Sequence, residues 1–124
     1  MQNINWGKNL WISLHIITFN YPINPTNEDK INYKNYFMSL GHVLPCNDCK
    51  EHYNNLIKQI PIDIFLQDRE GITFWLFNIH NLINEKLNKP IINFIDCCIM
   101  YNLVYCKSCL KNNDITLFAL KTED

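Results

Sequence analysis

The stretch GITFWLFNIHNLINEKLNKP at residues 71–90 decides the fold class of this chain. Its apolar side chains recur three and four residues apart, which is the spacing of one face of an α-helix and not of a β-strand. The helix is predicted to begin at Asp68 or Gly71, and Lys89-Pro90 ends it because proline cannot continue a helix. We therefore predict one long amphipathic helix that packs against a protein core.

The same spacing extends outward from this stretch to most of the chain. It predicts helices over residues 6–20, 26–41 and 44–60, with a shorter fifth helix over about 93–105. Thr26 is expected to cap the second helix together with Asp29, three residues later. Short proline-containing loops join these segments, so we predict an all-α, compact four-helix bundle with a short fifth helix. The domain is expected over residues 1–105, with a C-terminal tail over 106–124.

Composition supports this prediction and excludes several classes of protein. The 124 residues include only three glycines and five prolines, about half the usual share, which argues against a sandwich or barrel of many short strands. A net charge of −1 gives no electrostatic footprint for nucleic acid or an anionic membrane. The N-terminus lacks an apolar signal core, and the longest apolar run is too short and too polar to span a bilayer.

The sharpest chemical signal is the segment Cys46-Asn47-Asp48-Cys49. A thiol at the start of a helix lies near unsatisfied backbone N–H groups and the positive end of the helix dipole, which lowers its pKa. Two intervening residues bring both sulfurs to one side of the helix, so the pair can cycle between dithiol and disulfide. The alternative is a zinc-stabilised, non-catalytic interaction module in which Cys46, Cys49 and His52 bind the metal.

A second set of side chains lies on the first and fourth predicted helices. The set consists of indoles, imidazoles and amides: Trp11, His15, Trp75, His80, Asn81 and Asn84. Each residue alone is commonly part of a core or a solvated face. Together they are typical of a slot for a large flat aromatic group, because rings stack on rings and amides bond to polar ring edges.

The order of these motifs along the chain carries a family resemblance. The motifs are Trp6-Gly7-x3-Trp11-x3-His15, Leu44-Pro45-Cys46-x2-Cys49-x2-His52-Tyr53, Trp75-x4-His80-Asn81-x2-Asn84 and Leu87-x-Lys89. Over about residues 6–90 the sequence closely resembles the Erv/ALR FAD-linked sulfhydryl oxidases. It looks most like the short forms carried by large cytoplasmic DNA viruses.

This resemblance implies a helical bundle that binds FAD and, in most members, forms a homodimer. It implies that Cys46 and Cys49 are the catalytic disulfide, which oxidises cysteine-containing protein substrates and passes electrons through FAD to O2, giving hydrogen peroxide. It assigns FAD contacts to Gly7, Trp11, His15, His52, Trp75, His80, Asn81, Asn84 and Lys89. No metal is expected, a thioredoxin-like relay protein is a possible partner, and the location implied is the host cytoplasm or the virion.

The sequence departs from the family pattern at two places. Leu44 stands where many members have Tyr or Phe before the proline, so a ring contact to the cofactor is expected to be missing. Cellular members carry a structural disulfide between the fourth and fifth helices, and Phe77 and Phe94 align with its cysteines. We therefore expect that disulfide to be absent or replaced through Cys97 or Cys98.

The last cysteines of the chain allow two interpretations. Family members use a second cysteine pair on a mobile arm as a shuttle, and Cys106 and Cys109 suit that role by position and spacing. The same two residues, with Cys97 and Cys98, also supply the four thiolates of a zinc site. The sequence does not choose between a shuttle and a metal cluster.

Overall fold

The computed structural model describes residues 5–105, and the predicted second cysteine pair and tail lie outside this range. Within residues 5–105 the chain forms five α-helices and one short 3-10 helix, with no β-strand. The helices are α1 (Trp6–Phe19), α2 (Asn27–Leu40), α3 (Asn47–Gln59), α4 (Arg69–Lys86) and α5 (Phe94–Tyr105). The predicted all-α class and all five predicted helices are confirmed. The 3-10 turn, Ile62–Phe65, was not predicted.

Side chains just before three helices fix where those helices begin. Thr26 and Asp29 form the predicted capping box, with reciprocal bonds of 3.0 and 2.9 Å between side chain and backbone. Asp68 caps α4 by accepting a bond from the Gly71 backbone N–H at 2.7 Å. The sulfur of Cys46 plays the same part at α3. These caps satisfy backbone donors that the first helical turn leaves unpaired.

Helix α4 is the centre of the fold because it packs against α1, α3, α5 and the 3-10 turn. Its inward face is fully buried through Ile72, Trp75, Leu76 and Ile79. The main core also takes side chains from α1, α2, α3 and the loops: Leu14, Tyr21, Phe37, Leu40, Leu44, Tyr53, Leu56, Ile57, Ile62 and Leu66. Helices on several sides of α4 therefore meet at one core, as the amphipathic stretch predicts.

A smaller apolar cluster attaches α5 to the bundle. Phe19, Cys97 and Tyr101 are buried together between α1 and α5. Beside them, the rings of Phe77 and Phe94 meet edge to face at 4.9 Å. The two positions aligned with a structural disulfide are thus neighbours in space, and an aromatic contact joins them.

The end of α4 redirects the chain sharply. Asn88 adopts a left-handed conformation with φ of 58°, which asparagine tolerates better than most residues. The backbone N–H of Lys89 bonds to Asn84 O at 2.8 Å, and that of Asn88 bonds to Glu85 O at 3.1 Å. This pair of bonds is a Schellman motif, and it places Lys89 directly beside the last turn of α4.

Helix α2 is less buried than its sequence suggests. Phe37 and Leu40 enter the core, but Tyr36, four residues before Leu40 on the helix, is exposed. None of the helices within residues 5–105 is long and apolar enough to cross a membrane.

Candidate active site

A large cleft of about 970 Å³ opens between α1, α3 and α4. This volume is at the upper end of the range of small-molecule and cofactor sites. Its floor is apolar and is formed by Leu10, Leu14, Leu40, Leu44, Tyr53 and Ile83. Polar and charged side chains also line the cleft, and such groups fix the orientation of a bound ligand.

The disulfide predicted from the Cys46-x2-Cys49 spacing lies at one wall of this cleft. Cys46 and Cys49 are bonded, and their Cα atoms are 5.1 Å apart. Cys49 lines the cleft and packs against the main core, whereas Cys46 is not part of the lining. The backbone N–H of Cys49 donates to the sulfur of Cys46 at 3.2 Å. One sulfur therefore faces the cleft, while the other caps the helix.

Two rings from α1 and α4 form another part of the lining. Trp11 and His80 stack with ring centres 3.8 Å apart and planes only 6° from parallel. His15 lies behind them and does not line the cleft. Its Nε2 is 2.9 Å from Nδ1 of His80, and we call Trp11, His15 and His80 the ring cluster.

Burial keeps both imidazoles of the ring cluster neutral at physiological pH. His15 is 1% exposed, and desolvation, followed by repulsion from His80, lowers its pKa to about 3. Desolvation, followed by repulsion from Lys89, lowers the pKa of His80 to about 4. A neutral imidazole has one N–H and one lone pair, so this pair makes a directed hydrogen bond and carries no charge.

The two asparagines of α4 have different surroundings. Asn84 lines the cleft and is 7% exposed, and its side-chain amide bonds to no group within residues 5–105. Asn81 does not line the cleft. Its amide instead bonds twice to the backbone of Ile92, at 2.7 and 2.9 Å, and Ile92 belongs to the loop that closes this side of the cleft.

The other predicted cofactor contacts divide in the same way. Gly7, His52 and Lys89 line the cleft, and a Cβ atom built at Gly7 would have no neighbour within 4 Å. Partial burial, followed by repulsion from Lys86, lowers the pKa of His52. Trp75 lies in the core and outside the lining, with its indole N–H donating to Ile60 O at 2.8 Å.

Several lining residues were not singled out from the sequence. The cleft is also lined by Lys8, Asp48, Glu51, Lys86, Pro90 and Tyr101. Helical spacing could have found two further lining residues, Leu10 and Leu14, because they share one stripe of α1 with the predicted contacts Gly7 and Trp11. The charged residues carry no comparable signal in so polar a surface.

The arrangement also bears on the zinc alternative. The two sulfurs that would bind the metal are joined to each other, and no group of three metal-binding side chains occurs among the residues that the structure describes. The second alternative, a cluster with Cys106 and Cys109, falls on residues outside that range.

Comparison with known proteins gives three concordant results. The model of the Erv1 / Alr family matches residues 8–107. The chain is 37% identical over 95 residues to a probable FAD-linked sulfhydryl oxidase, R368, of Acanthamoeba polyphaga mimivirus, covering 76% of this chain and 66% of that protein. It is 31% identical over 84 residues to the mitochondrial FAD-linked sulfhydryl oxidase ERV1 of Saccharomyces cerevisiae, covering 68% and 43%.

A relative from African swine fever virus, named FAD-linked sulfhydryl oxidase, is 28% identical over 108 residues, which cover 87% of this chain and 86% of that protein. Among solved structures, the FAD-binding domain of Erv1 from Saccharomyces cerevisiae superposes with a TM-score of 0.76 at 27% identity. That likeness covers 82% of this chain and 94% of the domain. The chain thus spans two-fifths to two-thirds of the length of the first two relatives and nearly all of the last two.

Proposed function

Because this chain belongs to the Erv1/Alr family, we propose that it is an FAD-dependent thiol oxidase that forms disulfide bonds in protein substrates. The observation that carries this proposal is the contact between the Cys46–Cys49 disulfide and a cofactor-sized cleft. Relatives that match this chain in sequence are named FAD-linked sulfhydryl oxidases, which supports the same reaction.

The residues around the cleft fit FAD in size and chemistry. An apolar floor suits a large planar ring system, and the ring pair of Trp11 and His80 offers a stacking face. The buried amide of Asn84 has no protein partner within residues 5–105 and opens to the cleft, so it is available to a polar ring edge. Lys89 at the mouth suits a negatively charged group. We propose that these residues and Gly7 and His52 hold the cofactor.

Three of the residues implied by the resemblance are proposed to act indirectly. His15 supports His80 from behind, through the bond of 2.9 Å between the two imidazoles. Asn81 holds the backbone of Ile92, and so fixes the loop beside the cleft. Trp75 stabilises the core on which α4 rests. Each of these residues shapes the site, and none needs to touch the ligand.

The reaction begins with attack on Cys46, the sulfur that does not line the cleft. A substrate thiolate forms a bond to the sulfur of Cys46, and the bond to Cys49 breaks, leaving Cys49 as a thiolate. The second substrate thiolate then attacks the substrate sulfur of this mixed disulfide and releases Cys46. The substrate loses two electrons and gains a disulfide, and the Cys46–Cys49 pair gains those two electrons.

The local structure of α3 favours the release of Cys46. The Cys49 backbone N–H already donates to the Cys46 sulfur, and the positive end of the α3 dipole lies at the same point. Both stabilise the departing thiolate, and a thiolate of low pKa leaves faster. FAD, when bound, would supply the two-electron acceptor for the Cys46–Cys49 dithiol and would pass the two electrons, with two protons, to O2 to give hydrogen peroxide. Cys49 on the wall of the cleft is the sulfur placed to deliver those electrons.

The proposal extends to partners and location. Cysteine-containing proteins are the proposed substrates, with a thioredoxin-like protein as a possible relay, and the oxidase is proposed to work as a homodimer. Viral relatives support a viral protein that acts in the host cytoplasm or the virion. Cys106 and Cys109 are proposed as a shuttle pair, which a Cys106→Ser/Cys109→Ser protein would test by losing speed toward protein substrates but not toward dithiothreitol.

An absorption spectrum and an oxygen electrode test the function directly. We expect the purified protein to be yellow and to consume O2 with dithiothreitol. Cys46→Ser is expected to keep the flavin absorption and to lower O2 consumption by about a factor of a hundred or more, because no disulfide remains to accept electrons. A colourless protein that holds one zinc ion per chain would contradict the proposal and support the interaction module.

A further inference from the structure

The buried thiol of Cys97 has a partner that the proposed reaction does not explain. Cys97 lies on α5, is 1% exposed, and has its sulfur 3.9 Å from Nδ1 of His15. His15 in turn bonds through Nε2 to Nδ1 of His80, 2.9 Å away. Three side chains from α5, α1 and α4 thus form one chain of contacts that begins in the core and ends at the cleft.

We propose that Cys97 is a positioning residue: acting through His15, its thiol holds His80 in the tautomer that presents Nε2–H to the ligand in the cleft. This inference rests on the proposed function for the identity of that ligand. The tautomer itself follows from the hydrogen-bond inventory of the three side chains.

Each neutral imidazole has one donor and one acceptor nitrogen, so only two arrangements satisfy the central bond. In the first, the Cys97 S–H donates to Nδ1 of His15, Nε2–H of His15 donates to Nδ1 of His80, and His80 carries its proton on Nε2. In the second, every bond is reversed, and His80 faces the cleft with a lone pair on Nε2. The two arrangements offer opposite groups to a ligand.

The thiol decides between them because its proton needs an acceptor. Burial, followed by the neighbouring Cys98, raises the pKa of Cys97 to about 12, so the sulfur keeps its hydrogen. Within residues 5–105, Nδ1 of His15 is the acceptor within hydrogen-bond distance of this sulfur. The reversed arrangement would leave the buried S–H without an acceptor, whereas the first arrangement gives that proton the lone pair of His15 Nδ1.

The consequence is a donor of fixed direction on the wall of the cleft. Trp11 stacks on the face of the His80 ring and so fixes its plane, while His15 fixes the position of Nδ1. Nε2 is on the ring edge away from His15 and is left for the ligand. A ligand group that meets it must be an acceptor, such as a ring nitrogen, a carbonyl oxygen or a phosphate oxygen.

Nuclear magnetic resonance of ring nitrogens tests the tautomer without measuring activity. In the flavin-loaded protein labelled with ¹⁵N-histidine, long-range proton–nitrogen spectra distinguish Nδ1–H from Nε2–H. We expect Nε2–H for both His15 and His80. An Nδ1–H tautomer at His80 in the wild-type protein would overturn the proposal.

A matched pair of variants separates hydrogen bonding from packing. Cys97→Ser keeps a donor, and Cys97→Ala removes it from a side chain of nearly the same size. We expect Cys97→Ser to keep the wild-type tautomers. We expect Cys97→Ala to give mixed tautomers at His80 and to weaken FAD binding by about twofold, because only the Nε2–H fraction is competent to donate to the ligand. Identical tautomers and FAD affinity in both variants would overturn the proposal.

The same samples show whether the proposed function has failed instead. A wild-type protein that binds no flavin would contradict the oxidase. The tautomers of His15 and His80 would still be measurable in that protein, and their agreement or disagreement with Nε2–H would still decide the role of Cys97.

Discussion

The two sides of the cleft are assembled in different ways. On one side, Cys46 and Cys49 lie three residues apart, and the first turn of α3 alone brings them together. On the other side, His15 and His80 are 65 residues apart along the chain, and only the packing of α1 against α4 makes them neighbours. The reactive group is therefore a local structure, whereas the binding wall depends on the whole bundle.

The largest expected effect is that mutations on the two sides of the cleft affect different properties: one abolishes thiol oxidation, and the other weakens FAD binding. Cys49→Ser is expected to abolish thiol oxidation and to leave FAD binding and thermal unfolding nearly unchanged, because the α3 turn is held by its own backbone. His80→Ala removes a stacked ring and a buried hydrogen bond, each worth about 1 kcal/mol. It is expected to weaken FAD binding by about ten- to a hundredfold and to lower the unfolding temperature.

Flavin fluorescence titration and calorimetry on the two variants provide the measurement. The contrast would be lost if Cys49→Ser released the flavin as readily as His80→Ala does. That result would mean that the disulfide itself holds the ligand, and that the two sides are not independent.

Lowering the pH is the next way to test the difference between the two sides, because only the ring cluster contains buried imidazoles. The pKa values of His15 and His80 in the folded protein, about 3 and about 4, lie below the usual 6.5. Between these values and 6.5 the unfolded chain binds more protons, so stability falls as the pH falls. From pH 7 to pH 5 we expect a loss of about 2 kcal/mol per imidazole.

Urea unfolding at the two pH values measures this loss. The His80→Ala protein has one imidazole fewer in the cluster and should show a shallower dependence. Equal stability of the wild-type protein at pH 7 and pH 5 would contradict the neutral pair.

The smallest effect concerns the loop that joins α4 to α5. Asn81→Ala removes two hydrogen bonds to the Ile92 backbone and is expected to cost about 1–3 kcal/mol of unfolding free energy. FAD affinity should fall only modestly, because Asn81 does not line the cleft. Asn78→Ala, one turn earlier on α4, is the matched control and should change stability by less than about 0.5 kcal/mol. A complete loss of FAD binding in Asn81→Ala would show that its amide binds the ligand.

The difference between local structure and long-range packing also explains which features could be predicted from the sequence. Helix starts at Thr26, Cys46 and Asp68 are visible because a cap acts on residues two or three positions away. The helical bundle follows from apolar spacing, and all five helices were predicted. The 3-10 turn at Ile62–Phe65 was not, because so short an element has no periodicity to detect.

The positions of individual side chains on α4 show what could not be predicted from the sequence. A helix turns by about 100° per residue, so Asn84 lies on nearly the same face as His80 and lines the same cleft. Trp75 precedes His80 by five residues and is about 140° away around the axis, which is why it points into the core. Asn81, one residue on, meets a loop whose path no local pattern encodes. The contact of Cys97 with His15 joins positions 82 residues apart and could be found only in three dimensions.

The edge-to-face contact between Phe77 and Phe94 has a consequence for the order in which the protein folds and forms its disulfide. A fold held together by a structural disulfide would need oxidising conditions in order to stay folded. Here apolar rings hold α5 to α4, and the one cystine within residues 5–105 is the pair that we propose to react. Strong reductant should therefore open the Cys46–Cys49 disulfide without unfolding the helical bundle. A newly synthesised chain can then fold first and form its disulfide afterwards.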